Sequence, residues 1–280
     1  MTKSFRSFPG LRNKPARERF FEELAKAQKR LRALRIGNFS GSANPFVGDF
    51  NPLRCLKELN TSGQRDEAVW LAFLVTHLGP RRGQDKWNSI KNFYGKFDSG
   101  LWDWQLVKQN PEEVREWMIG LKAKIKELKF GNHRKYETNN PVSPKGTASV
   151  IQSFCKWTGF SPVRVIEKLL VADPEESFQR VFDNIRIVRF GRTAKFDFLS
   201  LLGNLKIFPI KPGHCYLKDA TGPRTGAILL CTGRRNGTIS KEIEERVRKL
   251  QAVLPYDAEA LEDALCNWQK KNMGFLSSVC

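Results

Sequence analysis

The first residues that could do chemistry lie in residues 188–202, VRFGRTAKFDFLSLL. Gly191 stands between two apolar runs, and a glycine there permits a backbone turn that other residues resist. The N–H groups at the start of the helix that follows, with the helix dipole, make an anion site. Arg189, Arg192 and Lys195 surround that site, and Thr193 is placed to cap the helix. A plain helix–turn–helix corner with surface arginines has the same pattern. For proton transfer near neutral pH the sequence offers three histidines, His77, His133 and His214. His77 ends an apolar helix, where it is either a satisfied core histidine or a catalytic one. His133 lies in a polar loop and reads as ordinary surface.

Charge says what these residues would meet. The 280-residue chain carries 48 Lys plus Arg against 29 Asp plus Glu, a net +19. Such an excess releases counterions from a phosphate backbone, so the expected partner is nucleic acid. Hydrophobic residues are 40% and aromatics 11%, as in a folded globular protein. No run reaches the roughly 20 apolar residues of a membrane helix. The first residues lack the apolar stretch of a secretory leader. The expected location is therefore cytoplasmic, in the host cell if phage-encoded, or nuclear if eukaryotic. Six scattered cysteines contain no C-x-x-C pair. That argues against a zinc or iron–sulfur site and for reduced, buried thiols, with no metal and no cofactor expected.

The elements that must position these residues read as helices. Residues 16–35 place Phe20, Leu24, Ala27, Leu31 and Leu34 at steps of three and four, opposite a basic face. Residues 36–52 are rich in Gly, Asn, Ser and Pro and read as a loop. Residues 66–78 (DEAVWLAFLVTHL) are apolar nearly all round and predict a central buried helix. Helices are also expected over 87–94, 111–128, 147–158, 163–172, 177–187, 240–253 and 257–270, with Asp173 capping one and Asp257 another. A short β segment is expected at 207–210. The whole reads as mostly α. The organisation expected is a basic arm and helix over 1–45 and one helical domain over 46–280, its two lobes joined near 131–146.

Gly191-Arg192-Thr193-Ala194 is similar to the helix-hairpin-helix element of DNA glycosylases. Those enzymes carry a catalytic Asp downstream. Here the corresponding residues 210–217, IKPGHCYL, put Pro212 and Gly213 where the acid belongs. That departure argues against base excision, which needs a carboxylate. The cysteine spacing of the iron–sulfur glycosylases is missing as well. Residues 212–230, PGHCYLKDATGPRTGAILL, together with FGRTAKFD, resemble the α-glutamyl/putrescinyl-thymine pyrophosphorylases and the related amino acid:DNA transferases. These are glycosylase-like proteins of phage and mobile-element base modification. The resemblance is strongest over 185–230 and extends to the His77-Leu78-Gly79 helix end and the basic loop after it.

The resemblance implies a two-lobed, helix-hairpin-helix DNA glycosylase-like fold acting as a monomer. It implies a transferase that replaces pyrophosphate on a 5-pyrophosphoryloxymethyluracil base in DNA with an amine, putrescine or an amino acid. The partners are then DNA, with the base flipped out of the stack, and the amine. His214, Asp219 and His77 become the catalytic candidates. Arg81, Arg82, Lys211, Tyr216 and Arg224 become the candidates for holding substrate and pyrophosphate, since arginine forks bind phosphate oxygens in pairs. Each has a plainer reading: a solvated loop for Arg81 and Arg82, a turn residue for Asp219, a core residue for Tyr216. Thr221-Gly222-Pro223 reads as a tight loop where a ligand could approach the backbone. Two further functions stay open, a glycosylase or lyase on a modified base and a non-catalytic helix-hairpin-helix DNA-binding protein.

Overall fold

The computed structural model describes residues 7–81, 83, 86–131 and 134–271. Among them fourteen α-helices follow in order: α1 (Lys14–Ile36), α2 (Pro52–Thr61), α3 (Arg65–Leu78), α4 (Asn88–Tyr94), α5 (Trp104–Gln109), α6 (Pro111–Gly120) and α7 (Lys122–Glu127), then α8 (Thr147–Thr158), α9 (Pro162–Glu167), α10 (Pro174–Asn184), α11 (Arg192–Asn204), α12 (Gly222–Thr232), α13 (Lys241–Val253) and α14 (Ala258–Lys271). The mostly α reading is borne out. Several helix starts follow from a polar cap beside a proline. The side chains of Asn51, Ser161 and Asp173 each accept a first-turn N–H, and Pro52, Pro162 and Pro174 take the first helical position.

Three expectations need correction. No strand forms at 207–210 among the described residues. Lys206 adopts φ 58°, and the N–H groups of Ile207 and Phe208 turn back to Leu202 O, closing the C-terminus of α11. The helix expected over 111–128 breaks at Leu121 into α6 and α7. The helix expected over 163–172 ends at Glu167. Three helices were not foreseen: α2, α5 and α12.

The chain divides into two compact units, one of residues Met1–Leu34 with Pro212–Cys280, the other of Arg35–Lys211. In the first, Phe20 and Leu24 of α1 pack with Leu229 and Leu230 of α12 and with Leu261, Leu265 and Trp268 of α14. Phe20 meets Trp268 edge to face at 5.4 Å, and the Trp268 indole donates to Ala16 O at 2.9 Å. Helices α12 and α14 touch through backbone. A Cβ on Gly226 would sit 2.3 Å from Leu265 O, and one on Gly222 would sit 2.4 Å from Cys266 Sγ.

The second unit is built on α3, in which every residue from Ala68 to Leu78 is buried. Trp70, Phe73 and Phe154 of α8 form its aromatic centre. The first turn of α3 also organises its neighbours. Asp66 accepts from Ser161 Oγ and Val163 N, fixing the start of α9. Glu67 accepts from the Tyr94 hydroxyl at 2.7 Å and from Trp104 N at 2.6 Å. Burial pushes the Glu67 carboxyl up to about 7, against these two hydrogen bonds, which favour its charged form.

Two stability measurements check this packing. Gly226→Ala should lower stability by about 1–3 kcal/mol, because backbone rather than a movable side chain stands in the way. Gly120→Ala, where a Cβ meets nothing, should be neutral or stabilising in the same urea titration. The Glu67 contribution should be full below about pH 4.5, the carboxyl's ordinary value, and be lost as pH rises through about 7. Glu67→Gln should flatten the fall in urea midpoint across that window; an unchanged slope would place the titration elsewhere.

Candidate functional site

The hairpin of the second unit runs from α10 through residues 185–191 into α11. Phe190 anchors it, buried against Phe73 at 5.6 Å and Phe198 at 5.8 Å. Val188 N bonds to Ser153 Oγ and Phe190 N to Ile187 O. This geometry revises the roles expected within the turn. Gly191 has φ −72° and ψ −170°, extended backbone open to any residue, and a Cβ there would meet nothing. The left-handed residue is Arg189, at φ 61°. Gly191 is itself the N-cap of α11, and Thr193 lies inside the helix.

The hairpin cations differ in setting. Arg192 is buried, its guanidinium 4.5 Å over the Phe196 ring. Lys195 donates to Phe182 O at 3.1 Å, and burial, with Arg186 nearby, lowers its pKa. Arg189 is partly exposed and pairs with Glu137 at 3.0 Å. Gly191, as the N-cap of α11, has no side chain with which to cap the helix.

Behind the turn lies a buried polar network. His77 is fully buried, stacked on Phe73 and edge-on to Phe130. Its Nδ1 lies 3.4 Å from Arg134 Nη2 and its Nε2 lies 3.0 Å from Thr147 Oγ1. Arginine can only donate, so Nδ1 accepts and Nε2 carries the proton. Thr147 passes its own hydrogen bond on towards Asn139 Oδ1 or Thr138 O. Arg134 also donates to His77 O and Arg189 O, and pairs with Glu137 at 3.7 Å. Burial, then Arg134, hold the imidazole well below its usual pKa. His77 is thus the satisfied core histidine of the two readings, buried away from any solvent-borne substrate.

In the first unit, residues 212–221 form an ordered loop before α12. Gln251 Nε2 donates to Gly213 O, Cys215 Sγ to Ala258 O, and Ala220 N to Leu217 O. The His214 ring stacks on Tyr216 at 4.0 Å, and its Nδ1 accepts from Tyr216 N at 3.0 Å. Neutral His214 therefore keeps its proton on Nε2. Tyr216 is buried, so it takes the core reading and offers no open stacking face. Tyr216 at φ 48° and Asp219 at φ 63° both hold left-handed backbone, a strain of about 1–3 kcal/mol each. Asp219 and Arg224 are exposed, Arg224 on the first turn of α12. The cavity beside His214, lined by Glu244, Arg248 and Gln251 of α13, measures only about 10 Å³, room for about one water. Gly222 was read as a place for ligand approach, but its missing Cβ serves the contact with α14.

The other sequence-predicted residues belong to the second unit. Lys211, in the second unit, is exposed and pairs with Glu175 at 3.1 Å. Arg81 is half-buried, with its N–H bonded to Lys86 O. Arg82 and His133 lie outside the described residues. Among the described residues no group of three or more His, Cys, Asp or Glu is arranged to hold a metal ion. Among the described residues no helix is long and apolar enough to cross a membrane.

One feature escaped the sequence reading. A cavity of about 550 Å³ opens beside Glu137 in the second unit, with Lys122, Lys126, Lys129 and Lys135 along it. The signal was present as basic residues at i, i+4 and i+7 over 122–129, but one helix face does not reveal a concavity.

A family model described as alpha-glutamyl/putrescinyl thymine pyrophosphorylase clade 3 matches residues 17–278. No curated protein and no solved structure matches the chain.

The His77 assignment has a measurable consequence. A buried histidine with a depressed pKa contributes stability fully above about pH 6.5, and that contribution is lost as pH falls below it. His77→Gln should flatten this acid dependence between pH 6.5 and 5. It should also cost about 1–3 kcal/mol at pH 7.5 through imperfectly paired neighbours. Both effects are read from urea midpoints.

Proposed function

Because the chain belongs to the alpha-glutamyl/putrescinyl thymine pyrophosphorylase family, we propose that it replaces the pyrophosphate of a 5-pyrophosphoryloxymethyluracil base in DNA with an amine. The family match over residues 17–278 carries this reading, and the net +19 charge supports a polyanionic substrate. In the reaction the amine nitrogen bonds to the exocyclic carbon at C5. The bond from that carbon to the pyrophosphate oxygen breaks, pyrophosphate leaves with the electron pair, and the new ammonium gives up a proton. The base must leave the stack for an amine to reach it.

The loop over 212–221 supplies candidates for these tasks. His214, whose Nδ1 is committed to the Tyr216 N–H, is the imidazole of this loop assigned to donate to the departing phosphate oxygen or to a base carbonyl. Asp219, exposed and held in strained backbone, is the carboxylate that receives the amine proton. Arg224 on the same unit, exposed on the first turn of α12, provides a cation for the pyrophosphate. The 10 Å³ cavity beside His214 is too small for an amine, so the donor role requires the loop to open on substrate. Arg189, Gly191, Arg192, Thr193 and Lys195 present the hairpin to the phosphate backbone, with the N–H groups at the start of α11 donating to a phosphate oxygen.

The test is product analysis. The protein is incubated with DNA bearing pyrophosphorylated hydroxymethyluracil and candidate amines, then the DNA is digested to nucleosides for mass spectrometry. The expected products are an aminated thymidine and inorganic pyrophosphate. Abasic sites would mark a glycosylase, and unchanged DNA that is nonetheless bound in a salt-sensitive way would mark a binding module. His214→Ala and Asp219→Ala should each lower turnover by about 10²-fold or more while DNA affinity stays near wild type. Activity surviving both substitutions places the chemistry elsewhere.

A further inference from the structure

The cavity beside Glu137 lies within the second unit and has no part in the chemistry assigned above. Its rim carries four exposed lysines, Lys122, Lys126, Lys129 and Lys135. The one carboxylate along it, Glu137, is already engaged by Arg134 and Arg189. The local field is therefore positive. Lysines along one helix face are often only a solvated surface, but three further observations go beyond that. The floor is apolar and aromatic, with half-buried Phe130 beside Ile125 and Leu128. Asn140 adds an amide able to both donate and accept. Lys135, on the rim, lies 4.9 Å over the ring of Tyr136, and Tyr136 is 77% exposed. A large exposed aromatic next to cations is what an unstacked base packs against. The volume of about 550 Å³ falls within the range of small-ligand pockets, roughly 300–1,000 Å³.

We infer that this cavity binds a single nucleotide unit, its base on the Phe130 floor and its phosphate at the lysine rim, with Tyr136 beside rim residue Lys135 as an exposed aromatic for the adjoining base. The inference rests on DNA being the substrate in the proposed reading and names where a nucleotide other than the reacting one is held. The same chemistry fits a nucleotide within a strand or a free nucleoside diphosphate, and the two sources are separated below.

Fluorescence anisotropy with a short oligothymidylate, and calorimetry with thymidine diphosphate, are run on the full chain without amine. Lys126→Glu/Lys129→Glu should weaken one or both ligands at least tenfold and lower the salt dependence of oligonucleotide binding. The control is Lys14→Glu/Lys249→Glu, which changes net charge equally at two exposed positions in the other unit. It should weaken binding much less. Tyr136→Ala should cost at least fivefold with the lysines intact. Loss for the oligonucleotide assigns the site to the strand; loss for the diphosphate alone assigns it to a free nucleotide. Equal weakening by the two charge reversals, or no weakening by either, overturns the inference. An oligonucleotide carrying 5-iodouracil should photocrosslink within residues 122–142; crosslinks confined to other peptides also overturn it. Binding is measured without turnover. A protein that binds here but modifies no base would therefore sink the proposed reaction and leave this site standing, and an active enzyme that ignores the cavity does the reverse.

Discussion

The second unit depends on one buried cation. Arg134 sits in the segment after α7 with its side chain shielded from solvent, and burial lowers its pKa. It reaches three parts of the fold at once: the end of α3 through His77 O and Nδ1, the hairpin turn through Arg189 O, and its own segment through Glu137. Each contact constrains another choice. Donation to Nδ1 decides the His77 tautomer, the tautomer makes Thr147 the acceptor, and Thr147 then turns its hydroxyl towards Thr138 and Asn139. A chain of hydrogen bonds with a fixed direction thus joins α3, α8 and the loop between α7 and α8.

Such a set is a poor source of net stability, because desolvating the charges offsets most of their attraction. Its effect is on geometry. Removing one member leaves the others buried and unpaired, at about 3–5 kcal/mol. The arrangement is therefore held as a whole or lost as a whole. That explains how Arg189 keeps left-handed backbone. Phe190 is drawn into the aromatic core, the Arg189 carbonyl is taken by Arg134, and its guanidinium is taken by Glu137. The same Glu137 lies along the lysine-rimmed cavity, and Phe130 joins its floor to the His77 ring.

What the sequence made legible was local. The cap at Asp173, the all-round apolar run of α3 and the extent of α8 each follow from residues within a few positions of one another. What it hid was decided by distant partners. Gly191 was expected to hold the unusual backbone of the turn, but Phe190 packing against Phe73 and Phe198 moved that conformation to Arg189. Gly222 was read towards a ligand, when Cys266 in another helix sets its identity. His77 had two readings, and only Arg134 and Thr147, 57 and 70 residues away, decide between them. The cavity needed α7 and residues 135–142 to enclose a volume, which no periodicity announces.

Two of the left-handed segments, at Arg189 and at Tyr216 with Asp219, differ in what holds them. At Arg189, core packing and an ion pair account for the backbone. At Tyr216 the left-handed conformation lays the ring on His214 and turns its N–H onto Nδ1, so strain there directly fixes a tautomer. At Asp219 it holds a carboxylate at the surface. Strain of this size persists only where the surroundings over-determine it. The Cys215 and Gln251 contacts clamp the loop before these residues, and the first turn of α12 clamps it after them. What over-determines the loop is local to the first unit: the Ala258 carbonyl accepts from the Cys215 thiol, the Gln251 amide donates to the Gly213 carbonyl, and the His214 ring accepts from the Tyr216 N–H, so its backbone is fixed largely by contacts that its own sequence does not contain.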